Sequence, residues 1–99
     1  MKFGLSDKSY TALVTALEKF PEIETAAIFG SRAMGNYKPG SDVDIVLQGS
    51  GVTSVTVDGL ITLLNEQLPI PYMFDIVNYA DINNPSLKEH IDANAIVFY

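Results

Sequence analysis

The chain has 99 residues, nearly half of them hydrophobic, and carries six Lys and Arg against twelve Asp and Glu, for a formal net charge of −6. That length leaves room for one small core, hence a single domain over residues 1–99, and the apolar content excludes a disordered chain. The acidic balance argues against direct nucleic-acid binding and against an anionic membrane surface. The lack of cysteine excludes disulfides, thiolate metal sites and cysteine nucleophiles.

The opening MKFGLSDKSY is broken by Gly4, Ser6 and Asp7 too early for a signal peptide, and no later apolar run reaches membrane-spanning length. A soluble cytoplasmic protein is the expectation. Ser6 is a candidate N-cap, and Tyr10, Leu13, Val14, Leu17 and Phe20 recur at helical spacing until Pro21. TAAIF, Thr25 to Phe29, is a short apolar run stopped by Gly30-Ser31 and predicts a buried strand entering a tight turn, with Ser31 able to cap a brief helix through Met34.

Gly35 to Ser41 is rich in Gly, Asn and Pro and predicts a loop. DVDIVL, Asp42 to Leu47, predicts a strand with Val43, Ile45 and Leu47 on one face and Asp42, Asp44 and Val46 on the other. After the turn at Gly49-Ser50-Gly51, an amphipathic helix is expected over about Thr53 to Gln67, with its first turn blurred by β-branched residues. Pro69 and Pro71 reset the chain. YMFDIVN, Tyr72 to Asn78, predicts a third strand that sets Met73, Asp75 and Val77 opposite Phe74 and Ile76. Asn84-Pro85 opens a last helix from Ser86 to about Ala93, and Ala95 to Tyr99 has strand character. The alternation predicts an α/β (α+β) fold, one small mixed β-sheet with helices packed against it.

An aspartate within an apolar strand is costly unless it is hydrogen-bonded, neutralised or bound to metal. Here Asp42, Asp44 and Asp75 all occupy such positions. On neighbouring strands in suitable register they would converge, and their hard oxygens select Mg²⁺ or Mn²⁺. Chance supplies about half an Asp-x-Asp in a chain this rich in Asp; requiring Gly-Ser about eleven residues upstream lowers that to about one in a hundred. A strand that ends in Gly-Ser and opens a helix offers free N–H groups to a phosphate, which answers the need for a local anion site on an acidic chain.

GSRAMGNYKPGSDVDIVL, Gly30 to Leu47, resembles the signature of the polymerase-beta-like nucleotidyltransferase superfamily, and in particular its minimal stand-alone MNT-type members. Ser31, Arg32, Ala33, Gly35, Ser41, Asp42 and Asp44 fall where that pattern expects them. The resemblance spans about Ile23 to Asn78. It implies that Asp42 and Asp44 hold metal ions, that Asp75 is the third carboxylate and a candidate base, and that Gly30, Ser31, Arg32 and Ser41 bind the nucleotide. It implies transfer of a nucleoside monophosphate, AMP from ATP, to a hydroxyl, with Mg²⁺ or Mn²⁺ as cofactor. It also implies an antitoxin-like partnership with a small helical HEPN protein, either by modifying it or by binding alone.

Two departures stand beside it: the 99 residues are expected to hold none of the extra domain of larger superfamily members, and only Arg32 and Lys38 lie near the motif to neutralise a triphosphate. His90, the only histidine, sits in a polar helical segment and is expected at the surface. Tyr37, in the loop, is close enough in sequence to touch a base, although five scattered tyrosines form no stacking platform.

Overall fold

A computed structural model describes residues 2–99. Helix α1, Asp7–Glu18, begins where the sequence predicts, with the Ser6 hydroxyl accepting the Ser9 N–H at 3.1 Å. Leu13, Ala16 and Leu17 turn one stripe of it into the core. Strand β1, Thr25–Phe29, runs into α2, a single turn over Ser31–Met34. Gly30, not Ser31, occupies the N-cap of α2; its φ of 72° and ψ of −152° suit glycine alone, so Ser31 becomes the first helical residue.

Strand β2 spans Val43–Gln48 and β3 spans Phe74–Asn78. Each starts later than the sequence pattern suggests, for a visible reason. Asp42 stays outside because Arg32 Nε donates to its carbonyl at 3.3 Å. Tyr72 leaves the sheet because its hydroxyl donates to the Gly4 carbonyl at 3.3 Å and its ring lies beside the Arg32 guanidinium.

The expected second helix is two pieces: α3, Ser54–Thr62, continues as a wider π-turn over Leu63–Gln67. That widening accompanies a specific contact. The Asn65 amide accepts the Phe74 N–H at 2.9 Å and donates to the Phe74 carbonyl at 3.0 Å, acting as a missing rung on an edge strand. Helix α4, Pro85–Asn94, is capped by Asn84, and β4, Ile96–Val97, closes the chain.

The sheet order is β3-β2-β1-β4, with β2 and β3 parallel and the other pairs antiparallel. It is the expected mixed sheet with helices packed against it. One face carries Ala26, Ile28, Val43, Ile45, Leu47, Phe74 and Ile76 into the main core with α1, α3 and the π-turn. The other face presents Ala27, Phe29 and Val46, covered by Ile91 and partly by Leu87 of α4. Period-two alternation thus places Asp44 and Asp75 on the α4 side of the sheet, away from the main core. No helix of the described residues is long and apolar enough to cross a membrane.

Candidate active site

Register builds the site. Phe29 pairs with Asp44 across β1–β2, and Asp44 pairs with Asp75 across β2–β3, so the Gly30-Ser31 turn and the starts of β2 and β3 meet at one end of the sheet. A Cβ at Gly30 would collide with Asp44 Oδ2, so glycine is required there by close approach as well as by φ. Asp42 and Asp75 are exposed and Asp44 is half-buried.

The electrostatics agree with that placement. The Asp44 carboxyl is raised above its ordinary range, first by burial, then by the charge of Asp75, then by that of Asp42, with Arg32 and His90 pulling the other way. Carboxylates so placed supply a hard-oxygen set suited to a divalent cation. The donor chemistry fits. Among the described residues no three His, Asp or Glu side chains stand at ion-gripping spacing. The convergence expected from the strands is therefore one of shared face and mutual field.

The other expected site residues separate into two groups. Gly30 and Ser31 lie at the turn beside Asp44. Ser41 and Arg32 are engaged elsewhere. The Ser41 hydroxyl accepts the Lys38 N–H at 2.9 Å and closes the loop before β2. Arg32 is only 3% exposed, and its guanidinium donates to the carbonyls of Phe3, Ser41 and Asp42, so its side chain points into the protein.

His90 corrects the sequence reading. It is half-buried, its Nε2 accepts the Gly30 N–H at 3.1 Å, and its ring meets Phe29 edge-on with centroids 6.3 Å apart. One of the turn amides expected to face a phosphate is thereby already occupied. A lone histidine on a polar helix carries no signal of this in the sequence; only the packing of α4 over β1 reveals it. A separate cavity of about 360 Å³ lies between α3, β3 and the start of α4, lined by Val57, Ile76, Val77, Ile82 and Leu87 among others; none of the three aspartates lines it.

A small mixed sheet that presents carboxylates from adjacent strands beside a glycine-bearing strand-to-helix turn suits a phosphoryl- or nucleotidyl-transfer class of domain. Comparison with known proteins sharpens the class. Residues 12–99 match the family model "Polymerase beta, Nucleotidyltransferase", and the chain belongs to that family. Among curated proteins, no sequence matches significantly.

Solved structures share the fold. A toxin-antitoxin complex crystallised with AMP-PNP superposes with a TM-score of 0.71 at 18% identity, covering 96% of this chain and 73% of that one. The MntA-HepT toxin-antitoxin complex gives 0.68 at 14%, covering 95% and 72%. A candidate nucleotidyltransferase from Sulfolobus solfataricus gives 0.56 at 22%, covering 93% and 78%.

Proposed function

We propose that this domain transfers AMP from ATP to a hydroxyl acceptor, with Mg²⁺ or Mn²⁺ held by Asp42, Asp44 and Asp75, and that the acceptor is a small helical HEPN partner. The observation that carries this reading is the register Phe29–Asp44–Asp75, which sets the Gly30-Ser31 turn beside two strand-borne carboxylates. The family match and the likeness to complexes described as toxin-antitoxin, one with AMP-PNP, support it.

Bound metal supplies charge neutralisation at the triphosphate and a lowered acceptor pKa. The chain's own groups do the rest. First-turn amides of Ser31 and Arg32 face the phosphates, while Gly30, lacking a side chain, lets them approach Asp44 closely. The exposed carboxylate of Asp75 takes the acceptor's proton. The acceptor oxygen then bonds to the α-phosphorus, the bond from that phosphorus to the bridging oxygen breaks, and pyrophosphate leaves.

With α-labelled ATP, Mg²⁺ and the partner encoded beside this chain, label should pass to the partner, and Asp42→Asn combined with Asp44→Asn should abolish transfer. Equal labelling by the double variant would sink the proposal.

A second reading, an inactive antitoxin that acts by binding alone, is favoured by one observation: Arg32, one of the two cations beside the motif, is turned inward onto backbone carbonyls. Protection of cells by the double Asp variant would support it over transfer.

A further inference from the structure

We propose that Arg32 is a positioning residue for Asp42: its buried guanidinium ties the carbonyls of Ser41 and Asp42 to the N-terminal hairpin, the tight turn in which the Leu5 N–H donates to the Lys2 carbonyl, and so fixes where the Asp42 carboxylate stands. What Asp42 does once positioned rests on the nucleotidyltransferase reading; the clamp itself does not.

An arginine 3% exposed is rare unless its donors are satisfied. Here satisfaction comes from backbone alone. Nη2 donates to the Ser41 carbonyl at 2.7 Å and Nε to the Asp42 carbonyl at 3.3 Å, so one edge of the fork spans two consecutive peptide units. From the other side, Nη1 donates to the Phe3 carbonyl at 2.8 Å. Charge-assisted bonds of this kind are stronger and more directional than neutral ones.

Two aromatic rings complete the enclosure. The guanidinium carbon lies 4.9 Å from the Tyr37 ring centroid and 5.3 Å from that of Tyr72. Tyr72 is in turn bonded to the Gly4 carbonyl. The hairpin itself is shaped for the contact: Gly4 has φ +78°, and a Cβ there would come within 2.7 Å of Arg32 Nη1 and 2.9 Å of Tyr37 Cζ. Leu5, fully buried, anchors the hairpin in the main core.

The clamp therefore joins four segments, the hairpin, α2, the loop before β2 and the approach to β3, around the peptide that carries Asp42. A lysine, with one compact ammonium, cannot span both carbonyls or stack as a plane. Serving a phosphate would require Arg32 to abandon three acceptors and two rings.

The test compares wild type with Arg32→Lys and the milder Tyr37→Leu. Amide hydrogen exchange is read at residues 41–43 against core amides such as Ile28 and Ile45, and Mn²⁺ binding is measured by electron paramagnetic resonance without nucleotide. Arg32→Lys should raise exchange at 41–43 about tenfold beyond any change in the core and weaken Mn²⁺ binding by about tenfold or more, as loss of an outer supporting bond does at metal sites. Tyr37→Leu should move both in the same direction by less.

Unchanged or uniformly raised exchange in both variants overturns the clamp, as does a variant that loses only ATP affinity while keeping Mn²⁺ binding. If wild type itself binds no Mn²⁺, the nucleotidyltransferase reading fails, and the exchange measurement alone still decides the clamp.

Discussion

Asp44 and Asp75 stand directly opposite each other on the parallel pair β2–β3, and after burial the Asp75 charge is the largest cause holding the Asp44 carboxyl above its ordinary range. A carboxyl raised in the folded chain binds more protons than it does unfolded, so stability falls as pH rises from the ordinary Asp range through the raised value. Above that value the penalty is complete. At neutral pH without divalent cations, Asp44→Asn should therefore be no less stable than wild type, and any advantage should shrink as pH falls through the raised value and be gone below the ordinary carboxylate range. Thermal melts followed by circular dichroism across pH check this; a variant clearly less stable at neutral pH contradicts it.

Gly30→Ala meets two obstacles, a backbone with φ 72° and ψ −152° and the Asp44 carboxylate where the new Cβ must sit. Strain in that region is on the order of 1–3 kcal/mol. For a domain of this size each kcal/mol lowers the melting temperature by about 4–8 °C. The expected result is a lower melting point together with loss of transfer; a variant matching wild type in both would show that the turn tolerates a side chain.

His90→Ala removes the acceptor of the Gly30 N–H and an edge contact to Phe29. The loss should be about 1 kcal/mol, and the Gly30 amide should exchange faster with solvent while amides of α1 stay protected. Unaltered exchange at Gly30 would mean that the bond does not persist in solution.

Asn65→Leu keeps the bulk of the side chain and removes both bonds to the Phe74 backbone. Stranding a partly buried N–H and C=O costs about 1–3 kcal/mol. Because Phe74 precedes Asp75 on an edge strand, the variant should lose more Mn²⁺ affinity than a surface control such as Glu89→Gln. Equal affinity in the two would detach Asn65 from the site.

Much of this arrangement was legible in the sequence because it is periodic. The alternation in Val43–Leu47 and Phe74–Val77 predicts which faces are buried, and Val43, Ile45 and Leu47 are indeed fully enclosed. The Gly-Ser turn and Asp44, placed as their spacing predicts, fall together at one end of the sheet. Side-chain-to-backbone bonds across long separations were not legible. Arg32 to Phe3, Asn65 to Phe74 and His90 to Gly30 depend on which segments pack together, and a single Arg, Asn or His leaves no pattern for that. The π-turn at Leu63–Gln67 escaped for the same reason, since its leucines fit a regular helix equally well.

The central claim is that Asp42, Asp44 and Asp75 form a working metal and nucleotide site, and the melting temperature with Mn²⁺ and a non-hydrolysable ATP analogue tests it without knowledge of the acceptor. A ligand that binds only the folded chain at about a hundred times its dissociation constant adds roughly 2.7 kcal/mol, which for a domain this small raises the melting temperature by about 10 °C or more. Wild type should show that rise and the Asp42→Asn, Asp44→Asn double variant should not. A wild-type melting curve left unmoved by millimolar metal and nucleotide, or an equal rise in the double variant, would contradict the account.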